Sequence, residues 1–319
     1  MASLYWFRND LRLDDNPGLA SCAADSRLLC VYFWPRSVPW CNVTGMGAQR
    51  RRFLLESLAC LQRQLRDKGQ DLLVYTGSPE QMIPQLVLRH RLDRVGTAHV
   101  PGTYEAMEVD GVRRALAVPL VLYRGNTLFD APTLPAPLAE LPAHYGEFRR
   151  AIGDIRPLLP VEAPRLPPPP AGLRRREVDT EGLRPDLSFI ARGGSEAAQQ
   201  RLHEWMFRQK AVLTYRETRD ELQGLYSSSA LSPWLANGSL SVRRVAGALA
   251  DFETRHGSNE STDWLYRELL WREFFQYRAY TDGAALFRAP SVGRCQTCTF
   301  EPRSFARWCA GDTDFPLVN

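Results

Sequence analysis

The chain has 319 residues, 44% hydrophobic and 24% charged, a globular composition that excludes disordered and fibrous classes and leaves room for two domains. No run approaches eighteen apolar residues, and the N-terminus MASLYWFRNDLRLDDN carries charges where a signal peptide needs an apolar stretch, so neither a membrane span nor secretion is expected and a cytoplasmic location is. Net charge is +4, too small to name a partner; Lys68 and Lys210 are the only lysines, and the arginine bias suits phosphate recognition or simply reflects a GC-rich coding sequence.

Short apolar runs alternate with amphipathic segments over the first 130 residues. Leu4 to Phe7, Leu28 to Phe33, Asp71 to Tyr75, Arg94 to Val100 and Leu120 to Tyr123 read as strands. Between the second and third, Phe53, Leu54, Leu58, Leu61 and Leu65 recur at helical spacing and the stretch ends at Gly69. Ser78 followed by Pro79 reads as an N-cap and first helical residue. Residues 1–130 are therefore predicted to form an open, Rossmann-like parallel sheet with Leu4 to Phe7 central and helices on both faces.

Eleven of the 23 prolines then fall between Pro132 and Pro170, so residues 131–192 read as an inter-domain connection laid over the surface. From Gly193 to Asn319 the pattern is helical. Ser195 is expected to cap a helix through Lys210, Ser241 to open one running to about Arg255, and Thr262 to begin a third carrying Trp264 to Tyr280. The seven cysteines, an odd number, fit reduced thiols. Cys295 and Cys298 have CxxC spacing but no second pair or nearby histidine, so no metal site is expected.

Two segments carry chemistry. In WLYRELLWREFFQYRAY, Glu268, Trp271 and Phe275 share one stripe of a helix, with Arg272 on the adjacent one. A carboxylate between aromatics suits a cleft wall that stacks a planar ligand and hydrogen-bonds its edge; an ordinary amphipathic helix with a Glu268–Arg272 pair is the alternative. The serine-rich turn from Tyr226 runs into Ser232-Pro233 and a helix N-terminus, a place for an anion such as a pyrophosphate or simply a loop; GxGxxG and Walker sequences do not occur.

The runs WFRNDLRLDDNPGL from Trp6, YRETRDEL from Tyr215, SSALSPWLANGSLS from Ser228 and WLYRELLWREFF from Trp264, in this order and spacing, resemble the photolyase and cryptochrome family. The GG-S-E-A opening at Gly193, the E-T-R at Glu217 and S-S-x-x-S-P-W-L lean towards its DASH branch. The resemblance implies an α/β antenna domain and an all-helical domain that holds FAD. It assigns Tyr215, Ser228, Ser229 and Ser232 to the flavin phosphates and ribityl chain, and Arg272 to the phosphates. It places Glu268 and Trp271 against a pyrimidine dimer, Arg219 at the DNA phosphates, and Trp308 at the surface end of an electron-transfer chain. The implied activity is light-driven repair of cyclobutane pyrimidine dimers in single-stranded DNA by a monomeric flavoprotein. Blue-light sensing without repair, or a product that folds its α/β domain and does little else, remain open.

Three features depart from the family pattern. Ala230 stands where a cation follows the paired hydroxyls. Tyr104, with Glu105 beside it, stands where an asparagine would hold a 5,10-methenyltetrahydrofolate antenna, which argues against that second cofactor. The segment from Phe305 matches the middle of the family's FAD domain, so that domain is expected to be incomplete, to retain flavin weakly and to expose an apolar face at Leu270, Phe274 and Tyr277.

Overall fold

The computed structural model describes residues 1–35, 45–173, 176–180, 191–221, 223–287 and 301–318. Strands β1 (Ala2–Phe7), β2 (Arg27–Phe33), β3 (Leu72–Tyr75), β4 (Arg94–Ala98) and β5 (Leu120–Tyr123) form one sheet in the order β3-β2-β1-β4-β5, every pair parallel. β1 is central, with Leu4 opposite Leu29 of β2 and Val95 of β4. Its side chains alternate between two cores, as the two-residue period of a strand requires. Tyr5 and Phe7 pack with Leu19 of α1 (Pro17–Ala23) and with Leu58, Leu61 and Leu65 of α2 (Ala48–Asp67). Leu4 and Trp6 pack with Ile83 and Val87 of α3 (Pro79–His90) and with Val109 and Val112 of α4 (Thr103–Ala115). Pro79 opens α3 as expected, but Ser78 makes no cap bond: its hydroxyl donates to Glu80 Oε1 at 3.1 Å.

The proline-rich stretch is more than a surface strap, because it contains α5 (Tyr145–Ile152), whose Phe148 and Ile152 enter the helical core. Leu270, Phe274 and Tyr277 are consequently only 4%, 7% and 3% exposed, against the expectation of an open apolar face. Phe148 lies 5.5 Å from Phe274 and 6.1 Å from Tyr277 between ring centroids, and Tyr277 donates to the Phe129 carbonyl at 3.0 Å. Helical periodicity shows that a face must be covered but not by what, and the cover lies some 120 residues upstream.

The helical part continues with α6 (Ser195–His203), α7 (Tyr215–Thr218), α8 (Ser232–Asn237), α9 (Val242–His256), α10 (Glu260–Asp282) and α11 (Pro302–Ala310). Ser195 is the first residue of α6 rather than its cap. Gly194, at φ +101°, takes the cap position, and the Ser195 hydroxyl donates to Gln64 Oε1 at 3.1 Å. After His203 the helix widens into a π turn over Glu204–Arg208 and does not continue as α-helix to Lys210. Ser241 caps α9, accepting from the backbone of Arg243 and Arg244. α10 begins two residues before Thr262, because Asn259 and Thr262 close a reciprocal capping box. Among the described residues no helix is long and apolar enough to cross a membrane, and no group of His, Cys, Asp and Glu is arranged to hold a metal; Cys295 and Cys298 lie outside them.

The two parts are joined by buried polar contacts from the loop after β1. Arg12, fully buried, donates to the carbonyls of Gly238 at 2.9 Å, Asp15 at 2.8 Å and Gly125 at 2.5 Å. Asp14 pairs with Arg244 at 2.8 Å, and Asp15 accepts from Ser241 and faces Arg243 at 3.6 Å. Gly238 ends α8 at φ +73°, and a Cβ there would overlap the Asn9 carbonyl. Only glycine serves there, for its left-handed backbone and for the close approach.

Candidate functional site

Glu268 lies on the third turn of α10, half-buried, with its carboxylate held from two sides. The Trp264 indole N–H, one turn earlier, donates to Glu268 Oε1 at 2.9 Å, and Arg219, just past α7, approaches the same oxygen at 3.6 Å. Arg219 also lies over the Trp264 ring, 4.8 Å from its centroid, and Arg216 and Arg267 flank that ring at 5.6 and 5.7 Å. The Glu268–Arg272 pairing suggested by their spacing is not the one made. Burial pushes the Tyr215 phenol up, and the Glu268 carboxylate adds to the rise, so Tyr215 stays a neutral hydroxyl facing the acid.

Trp271 is 38% exposed and Phe275 54%, and Tyr145 at the start of α5 joins them. The Tyr145 ring stacks on Trp271 at 3.5 Å between centroids and 12° between planes, and Phe275 stands at 5.7 Å and 21° from the same indole. The sequence-predicted stripe of carboxylate, indole and phenyl is thus one accessible wall.

The serine turn reaches this wall through α7. Thr218 donates to the Ser227 carbonyl at 2.7 Å, one residue from Arg219 on Glu268. Arg201 of α6 shapes the turn, donating to the carbonyls of Ser228 and Ser229 at 2.9 and 3.0 Å, and Ala230 adopts φ +52°. The hydroxyls of Ser228, Ser229 and Ser232 have no protein partner among the described residues and are not fully buried, which leaves them free for an outside acceptor or donor. Arg272 is directed elsewhere. It donates to the Asn126 carbonyl at 2.8 Å, and burial pulls its guanidinium down from the ordinary value. Glu273 beside it is fully buried and accepts from the backbone N–H of Leu128 and Phe129 at 2.9 and 3.2 Å; burial nonetheless pushes its carboxyl up. Trp308 sits on α11, half exposed and stacked on Phe305, in a helix with no buried residue. Tyr104 is exposed, and the cleft at the carboxyl ends of β1, β4 and β5, lined by Tyr5, Arg12, His99 and Tyr123, encloses about 10 Å³, room for about one water.

The family model for DNA photolyase matches residues 3–169. A cryptochrome DASH of Idiomarina loihiensis is 34% identical over 99% of this chain and 72% of its own length. The chain belongs to the photolyase and cryptochrome family. Within that family it is also similar to the cryptochrome DASH of Xenopus laevis, at 32% identity over 98% of this chain and 64% of the relative. The solved cryptochrome of Synechocystis superposes with a TM-score of 0.89 at 30% identity, covering 99% of this chain and 69% of that one. A class III photolyase from Agrobacterium tumefaciens, with a TM-score of 0.74 at 24% identity, shares the fold. The family is one of blue-light flavoproteins with a DNA-repair activity, and its α/β domain followed by helices is the architecture seen here.

Against the family's motifs, three side chains of the site, two at the wall and one on the serine turn, were not anticipated. Trp264 was legible: it stands at i−4 from Glu268, within reach of a side chain one turn on. Arg201 and Tyr145 had no local signal, being 28 and 126 residues from the groups they meet.

Proposed function

We propose that this chain binds single-stranded DNA carrying a cyclobutane pyrimidine dimer and serves its light-driven repair, as a monomer in the cytoplasm. The observation that carries the reading is the Glu268 carboxylate, fixed by Trp264 and Arg219, beside the exposed aromatic wall of Trp271. Trp271 supplies a planar face for a base that has left the stack. Glu268, as carboxylate, accepts from an N–H on the edge of a pyrimidine, and its two protein partners hold it in place before substrate arrives. Arg267 beside Trp264 supplies positive charge for a flanking phosphate, and Arg216 and Arg219, ion-paired with Glu260 and with Asp220 and Glu268, would exchange part of that pairing for phosphate.

The donor set fits FAD at one end. Ser228, Ser229 and Ser232 offer unpartnered hydroxyls to phosphate and ribityl oxygens, and Tyr215 offers a neutral phenol. FAD, when bound, supplies the photoexcited electron that splits the dimer. Arg272, turned to Asn126, would have to leave a part-buried hydrogen bond to join that set.

The test is binding of two oligothymidylate single strands, one with a central dimer and one without, followed by fluorescence anisotropy. The dimer strand is expected to bind tighter, and Glu268→Ala to lose about tenfold of that preference, the equivalent of roughly 1.4 kcal/mol for one charge-assisted hydrogen bond. Equal affinity of the wild-type chain for both strands would remove Glu268 from substrate recognition.

A further inference from the structure

The stack of Tyr145 on Trp271 conflicts with the use of Trp271 as a stacking face. Parallel rings at 3.5 Å and 12° leave no gap for a third, and Phe275 stands by the indole at 5.7 Å. A nucleobase that stacks on the face of Trp271 covered by Tyr145 must take the place of that ring. Its hold on that place is slight. The Tyr145 hydroxyl makes one exposed hydrogen bond, to the Arg267 carbonyl at 3.2 Å, its ring stands edge-on to Phe274 at 6.0 Å between centroids, and that ring is only partly buried against the helical core. Tyr145 is also the first residue of α5, preceded by extended backbone at His144. The helix itself is anchored by Phe148 and Ile152, which lie in the core. Rotation about the Tyr145 side-chain bonds thus uncovers Trp271 without moving α5.

We propose that Tyr145 is a displaceable cover on Trp271, occupying in the free protein the stacking place of a base of single-stranded DNA; this rests on the reading of the wall as a DNA site. The surroundings fit that partner. Exposed Arg149 lies one turn on from Tyr145, and Arg267, Arg219 and Arg216 surround Trp264 two turns back along α10. Aromatic leaves edged by guanidinium groups are the recurring surface for unpaired strands, since every base has a face to stack and every phosphate a charge to meet. The cover also sets a threshold. A base already free of a partner replaces one stack with another, whereas a paired base must in addition leave its own duplex; displacing Tyr145 lowers both affinities by the same factor, and the duplex cost alone sets the preference for single strands.

The test uses the full chain, fluorescein-labelled oligothymidylate and the same sequence in a duplex, in low salt. Removing the competitor in Tyr145→Ala is expected to tighten single-strand binding by about fivefold, the range set by one aromatic pair. Tyr145→Phe keeps the ring but drops the hydrogen bond to Arg267, and should tighten it about twofold. Trp271→Ala should bind weakly, and adding Tyr145→Ala to it should change nothing further. Tyr145→Ala should tighten single strand and duplex by the same factor and leave the gap between them unchanged. Binding that depends on Trp271 but weakens or stays level in Tyr145→Ala overturns the cover while leaving the DNA site intact. Binding indifferent to Trp271→Ala overturns the DNA site and the cover together.

Discussion

At the scale of single residues, the groups marked by their chemistry are held by neighbours they were not expected to have. Glu268 pairs with Trp264 and Arg219 instead of Arg272, which spans to the backbone of Asn126. Both choices follow from burial. Arg272 lies where a guanidinium needs an acceptor away from water, and a backbone carbonyl supplies one, while Glu268 stays at the surface where two donors converge. His99 provides a pH-sensitive contact of the same kind. It packs on Tyr280 at 4.6 Å between ring centroids, its carbonyl accepts from the Tyr280 hydroxyl at 2.7 Å, and burial, aided by Arg124, Arg113 and Arg8, lowers it from 6.5. A depressed histidine favours the neutral folded form. Its contribution is full above the unfolded value near 6.5 and is lost as pH falls through the lower folded value. The urea midpoint is therefore expected to drop between pH 7.5 and 5.5, and His99→Phe to flatten that slope, His90 leaving a residue because burial lowers it too. An unchanged slope in His99→Phe would place the pH sensitivity elsewhere.

At the scale of elements, α5 has the largest effect for its size. Eight residues inside the proline-rich stretch bury Phe148 and Ile152 beneath α10 and set Tyr145 on its wall. Phe148→Ala is expected to cost about 3–5 kcal/mol, the range for removing a fully buried phenyl, and to shift tryptophan emission as Trp271 loses its stack. Arg149→Ala, on the exposed side of the same helix, should leave both unchanged. Chemical denaturation followed by fluorescence separates the outcomes, and a Phe148→Ala loss under 1 kcal/mol would mean that α10 does not depend on α5. The strands were legible within a residue or two, because period-2 and period-3.6 patterns report how each segment faces a core. The caps at Ser78 and Ser195 were not. A serine hydroxyl beside a helix start chooses between the backbone and any nearby side chain, and Glu80 and Gln64 took it.

At the scale of the molecule, two of the family's four motifs, together with the GG pair, serve as docking surfaces between the α/β and helical parts. The loop from Arg8 to Asn16 carries Arg12, Asp14 and Asp15 into the helical part, and SPWLANG ends in the glycine that lets Asn9 approach. At the GG pair, Gly193 donates to Glu56 at 2.6 Å and Gly194 to Ser57 at 2.9 Å, seating α6 on α2. Gly238→Ala should therefore act on the whole assembly. It adds a Cβ against the Asn9 carbonyl and strains a left-handed backbone, a loss of about 2 kcal/mol or more. The expected signature is a lower thermal midpoint with faster proteolysis across the joint, while Gly247→Ala, whose Cβ would meet only Pro160 at 3.9 Å, stays close to wild type. Equal behaviour of the two would show that the joint tolerates separation.

The amino-acid sequence by itself determined the parallel α/β sheet with its first strand at the centre, the helical second half, and the stripe of Glu268, Trp271 and Phe275, because each is a periodic pattern read over a few neighbouring residues. Tertiary structure alone decided which residues hold Glu268, which carbonyl takes Arg272, what covers Leu270 and Phe274, and that Tyr145 lies on Trp271. Those contacts join residues four to 146 positions apart. Their partners are selected by the burial of whole faces and by the need of every buried polar group for a hydrogen bond, conditions that exist only once the chain has closed on itself.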